Sequence, residues 1–157
     1  MFLLFERVAF IETMNKYMNA AIAEARKGLI EHGIPIGSVL VKNNRIIGRG
    51  HNQRVQKHDP ILHAEIDCLE NAGRLKSYRG CTLYSTLMPC YLCAGAIVQF
   101  GIKKIVCGEN RSFAGAEKFL HHHGVSVKNI DSSECIGLMT EFIRKNPKLW
   151  KEDIGKL

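Results

Sequence analysis

Residues 81–108 read CTLYSTLMPCYLCAGAIVQFGIKKIVCG, and the order of elements within this stretch decides the fold. CTLYSTL is strand-like, Cys90 to Phe100 reads as a helix, and KKIVCG is a second strand. Alternation of strands and helices at this length implies a mixed sheet covered by helices on both faces.

The flanking sequence extends the same pattern. Upstream, Met14, Tyr17, Met18, Ala21, Ile22, Ala25 and Leu29 recur at helical spacing until Gly33 and Pro35 stop the helix. SVLVKNNRIIG follows as two short β-rich runs around a turn at Lys42-Asn43-Asn44. A polar loop, HNQRVQKHDP, leads to a helix from about His63 to Ala72, closed by Gly73. Downstream, GAEKFLHHHG reads as helix, VSVKNI as strand, and a last helix spans about Ser133 to Lys145, followed by a short tail. The internal triple His121-His122-His123 is read as a solvated helix end.

The 157 residues are expected to form one domain over 14–157, with residues 1–13 as a poorly ordered extension. A hydrophobic fraction of 46% and a charged fraction of 24% are ordinary for a soluble protein. The net charge of +7 comes from Lys and Arg residues scattered along the chain, which reads first as a solvated basic surface. No apolar run approaches the roughly 18 residues of a membrane span. Glu6 and Arg7 interrupt the apolar start, and no basic segment precedes it, which argues against a signal peptide. Cys68, Cys81 and Cys107 fall in apolar patterns as buried thiols. Reduced cysteines and a cytoplasmic location are therefore expected.

MPCYLC (88–93) and the upstream LHAEID (62–67) carry the chemistry. Both open a helix. Cys90 and Cys93, at i and i+3, share a helix face, and the positive end of the helix dipole favours their thiolates. His63 adds an imidazole, so two thiolates and one histidine offer three ligands to Zn²⁺. The fourth tetrahedral position is left for water, as in a catalytic site. Glu65 sits beside that position and suits a proton carrier. A redox Cys pair or a closed structural zinc with His51, His58 or Cys68 as fourth ligand are the alternatives. H-x-E together with P-C-x-x-C is the signature of the zinc-dependent nucleobase deaminases.

From about Ile34 onward the chain resembles the fungal-type cytosine deaminases of the cytidine deaminase superfamily. The shared stretches are PIG (35–37), GRGHN (48–52), LENAGRL (69–75), TLYSTL (82–87), GENRSF (108–113) and EDIG (152–155). The resemblance implies a cytidine-deaminase-like three-layer α/β/α sandwich with a five-stranded mixed sheet, a homodimer, and conversion of cytosine to uracil and ammonia in pyrimidine salvage. It implies that Asn52 and the backbone amide of Ala64 bind the base edge and that Asp153 contacts it near the amino group. Phe113 and Trp150 would wall the pocket, with Ile36 beneath the ring. Met88 stands where the family commonly has a small residue, a departure placed near the metal. KHDPILHAEID also resembles tRNA adenosine deaminases, whose large anionic substrate would suit the positive charge, and guanine and creatinine deaminases use related scaffolds.

Overall fold

Alternating side chains on the central strands divide the core into two layers. Leu40, Leu83 and Ile105 face one way, while Val39, Val41, Tyr84 and Val106 face the other. A computed structural model describes residues 2–156, so Met1 and Leu157 lie outside it. Its five strands are β1 (Gly37–Lys42), β2 (Arg45–His51), β3 (Thr82–Ser85), β4 (Lys104–Cys107) and β5 (Ser126–Asn129). They run in the order β2-β1-β3-β4-β5; β1 is antiparallel to β2 and β3, and β3, β4 and β5 are mutually parallel.

One face is covered by α3 (Ala64–Ala72), α4 (Tyr91–Gln99) and α5 (Glu117–His122), which bring Cys68, Ala94, Ile97 and Leu120 onto Leu40, Leu83 and Ile105. The other is covered by α1 (Phe2–Ile30) and α6 (Ser133–Lys145), through Met14, Tyr17, Met18, Ala21 and Cys135. This is the expected three-layer mixed sandwich. The β1–β2 hairpin turns on Asn43 and Asn44, both at positive φ (49° and 59°), a geometry that asparagine tolerates.

Three local expectations need correction. Residues 3–13, expected as a poorly ordered extension, instead continue α1, with every side chain exposed. The helical periodicity starting at Met14 marks where burial begins, not where the helix does. The polar loop contains a short helix, α2 (Arg54–Lys57), and the tail after α6 folds into α7 (Pro147–Asp153), which starts with proline at its first turn. That last helix carries Trp150 and Asp153 back over the end of the sheet. There Ile34, Ile36, Ala64, Leu87, Met139, Phe142 and Trp150 form a third buried cluster.

The two glycines of GRGHN explain how α3 reaches its place. A Cβ on Gly48 would lie 2.5 Å from the Cys68 carbonyl oxygen. One on Gly50 would lie 2.3 Å from the Cys68 nitrogen and 2.8 Å from the Ala64 oxygen. Helix and strand backbones therefore touch directly, and no flexible side chain is there to give way. Gly50→Ala is expected to destabilise the protein by about 3 kcal/mol, the upper end of overpacking costs. Denaturant unfolding with an unchanged m value tests this; a loss below about 0.5 kcal/mol would show that α3 can slide.

Candidate metal centre and active site

The first residues of two helices meet at one end of the sheet. His63 is the N-cap of α3 and Cys90 the N-cap of α4, both with extended backbone (ψ 163° and 176°). Neither side chain caps its own helix, so both are free to turn toward each other. His63 Nδ1 lies 3.4 Å from Cys90 Sγ. Cys93, fully buried one turn into α4, completes a set whose ligand atoms all fall within 4.8 Å of one another. One imidazole nitrogen and two sulfurs converging this closely fit a zinc ion by donor type and spacing. The closed structural zinc finds no support: no fourth His, Cys, Asp or Glu joins the set among the described residues.

The donors perturb one another. Hydrogen bonding from Cys93, assisted by His63, draws the Cys90 thiol down to about 4, against the effect of burial. The same Cys90 contact, together with burial, pushes Cys93 well above its ordinary value. Burial opposes a charged His63, but its hydrogen bond and attraction to Cys90 outweigh that and raise its pKa. Glu65, on the first turn of α3, is 4% exposed. It accepts from Ser85 Oγ at 3.0 Å, and its other oxygen lies 3.2 Å from Cys93 Sγ. Burial, reinforced by the Cys90 thiolate, raises its pKa, so its carboxyl is inclined to hold a proton.

A cavity of about 250 Å³ opens beside these groups. All the site residues expected from the sequence line it except Cys93, which lies behind its wall: Ile36, Asn52, His63, Ala64, Glu65, Cys90, Phe113, Trp150 and Asp153. Phe113 and Trp150 meet edge to face, with ring centroids 6.1 Å apart at 89°. Met88, only 1% exposed, also lines the cavity, as does Leu87. Asn52 is pinned through its backbone N–H to the Ile36 carbonyl at 2.9 Å. Its side-chain Oδ1 accepts from the Arg54 backbone at 3.1 Å, whereas its buried Nδ2 has no partner. A buried donor costs free energy when left unsatisfied, so Nδ2 is disposed to donate to an acceptor that enters the cavity.

Sequence reasoning overlooked the supports. Asp67 accepts from the His51 backbone at 3.0 Å and from Gln53 Nε2 at 2.8 Å, gripping the chain on both sides of Asn52. Arg54 Nη1 lies 2.5 Å from Asp153 Oδ1, and Ser85 holds Glu65. Asp67 lies four residues past His63 on the same helix, which is the one signal available in the sequence; Arg54 gave none.

Residues 11–109 match the family model described as the cytidine and deoxycytidylate deaminase zinc-binding region. The chain belongs to this deaminase family. Within it, the chain is 49% identical over 144 residues to a cytosine deaminase of Candida albicans, covering 90% of this chain and 96% of that one. A tRNA-specific adenosine deaminase of Bacillus subtilis is 37% identical over 141 residues, 82% of this chain and 88% of its own. A solved structure from work on A-to-I editing by tRNA:A34 deaminases superposes with a TM-score of 0.69 at 30% identity, covering 79% of this chain and 99% of that one. The matched zinc-binding region contains the donor set at His63, Cys90 and Cys93.

Proposed function

We propose that this deaminase hydrolyses free cytosine to uracil and ammonia, with one zinc ion per subunit held by His63, Cys90 and Cys93. The observation that carries the reading is the recognition pair in the small cavity: the unpartnered Nδ2 of Asn52 and the carboxylate of Asp153, walled by Phe113 and Trp150. A donor and an acceptor suit the carbonyl and amino groups of a neutral pyrimidine, and aromatic faces suit its ring. The cavity of about 250 Å³ lies below the range of drug-sized pockets, as a single small ring requires. The Candida albicans relative, called a cytosine deaminase, supports the same choice.

When bound, zinc lowers the pKa of water to about 7 and so supplies a nucleophile at neutral pH. The chain's own groups do the rest. Asn52 Nδ2 and the Ala64 amide hold the carbonyl side of the ring, and Asp153 accepts from the amino group. Ile36 supports the ring from beneath. Glu65 takes the proton of the attacking water, gives it to ring N3, and passes a second to the amino nitrogen, which departs as ammonia. Burial favours the protonated form of the Glu65 carboxyl between the two transfers, and Ser85 Oγ holds it in place.

The same proposal includes a cytoplasmic homodimer acting in pyrimidine salvage. Six free cysteines support a reducing compartment. Tyr91 and Leu92, exposed by 69% and 44% at the start of α4 beside the cavity, support a partner covering that end of the helix. No helix among the described residues is long and apolar enough to cross a membrane.

Ammonia release by zinc-loaded protein offered cytosine, cytidine, guanine, adenine, creatinine and an adenosine-34 anticodon stem-loop tests the substrate. Turnover of cytosine without cytidine is expected. Turnover of the stem-loop with silence on cytosine would transfer the site to tRNA, the second reading, which the B. subtilis likeness and the charge of +7 favour.

A further inference from the structure

Arg54 does not line the cavity, yet it is bonded to two residues that do, Asn52 and Asp153. Its backbone N–H donates to Asn52 Oδ1 at 3.1 Å. Its Nε donates to the Pro60 carbonyl at 3.0 Å, and its Nη1 lies 2.5 Å from Asp153 Oδ1. The Arg54 and Asp153 side chains are 13% and 6% exposed. Glu152 lies farther out, 4.0 Å from Nη2.

We propose that Arg54 is a positioning residue that sets the pocket's preference for a ring bearing an exocyclic amino group beside a carbonyl-bearing edge, an inference resting on the cytosine reading above. Through its main chain Arg54 occupies the Asn52 oxygen, so that Asn52 meets the ligand only as a donor. Through its guanidinium it occupies one Asp153 oxygen, so that the other meets the ligand as an acceptor at a fixed place. The bond to Pro60 holds the guanidinium plane, and a planar fork is what allows one side chain to grip a carbonyl and a carboxylate together. A lysine keeps the charge but not the two-point grip. The result is one donor and one acceptor held at set places in the cavity, a pattern that an amino-bearing ring satisfies. A ring without the amino group leaves the Asp153 oxygen unmatched.

The test uses zinc-loaded Glu65→Gln protein, which binds without turnover, and calorimetric titration with cytosine and with pyrimidin-2-one, which lacks the amino group. Adding Arg54→Gln is expected to weaken cytosine by about tenfold or more, the effect of loosening a hydrogen bond to a charged group. Pyrimidin-2-one is expected to weaken by no more than about twofold, and Arg54→Gln to add no more than about twofold once Asp153→Asn is present. Arg54→Lys is expected to fall between Arg and Gln, and provides the comparison if Arg54→Gln does not fold. Equal weakening of both ligands, or independent effects of Arg54→Gln and Asp153→Asn, would overturn the inference by making Arg54 a general structural residue. The parent protein separates the two failures. If it binds no cytosine, the substrate reading falls and takes this inference with it. If it binds cytosine and the ratio of the two affinities does not change with Arg54, only the inference falls.

Discussion

Glu65→Gln is expected to retain zinc and to lower kcat by at least about 100-fold, the lower bound for a positioned general acid–base group. The substitution is nearly isosteric, and its amide oxygen can still accept from Ser85 Oγ, which contacts Glu65 at 3.0 Å. Packing and metal binding should survive, and only the ability to take and return a proton is removed. Glu65 is suited to that task by its surroundings. Burial, the largest influence on it, raises its pKa and so favours a carboxyl that can take up a proton. Glu65→Ala is expected to lose at least as much activity. The measurement pairs kcat on cytosine with zinc content by atomic absorption on the same preparation. Full activity with metal bound would remove Glu65 from the chemistry; lost activity with lost metal would make it a support of the metal site instead.

Glu65 is legible in the local sequence, whereas several of the residues that share its cavity are not. His63 and Glu65, like Cys90 and Cys93, are separated by two or three positions at a helix start, and local geometry there follows from local sequence. The same holds for the strand order around β3, α4 and β4, where alternation of periodicities is enough. Asn52, Asp153, Phe113 and Trp150 are different. Nothing near Trp150 in the chain says that it meets Phe113 edge to face, and only resemblance placed the two together. Arg54 and Asp153 are 99 positions apart. Their pairing depends on α7 folding back over the sheet, and PKLWKED reads as a tail because seven residues are too few for a periodic pattern. Residues 3–13 failed in the opposite way: periodic burial reports packing, and an exposed helical segment has none to report.

Cys93→Ala is expected to abolish stable zinc binding, and with it activity, whereas Cys68→Ala should leave both intact. The two thiols are similarly buried, at 0% exposure each, so burial does not distinguish them. Geometry does. Cys68 sits among Leu40, Leu83 and Ile97 with its thiol pushed up to about 12, chiefly by burial, as an inert apolar group. Cys93 faces Cys90, His63 and Glu65. Loss of an outer support of a metal ligand typically costs 10–100-fold in affinity, so loss of a ligand itself should exceed about 100-fold. At zinc concentrations about 100 times the wild-type dissociation constant, the folded state then forgoes about 2.3–2.7 kcal/mol of ligand stabilisation. For a chain of this size that lowers Tm by roughly 5–10 °C. The sign of the pH dependence follows from the thiol. Cys93 is held protonated well above its ordinary range in the metal-free protein, first by its hydrogen bond to Cys90 and then by burial. Zinc must displace that proton, so affinity should fall as pH falls, and loading near pH 7 should acidify a weakly buffered solution. Wild-type protein stripped by a chelator should melt close to Cys93→Ala in the presence of zinc, since both lack the same bound ion. A Cys93→Ala protein that kept full zinc occupancy would show that the ion rests on a different set of donors.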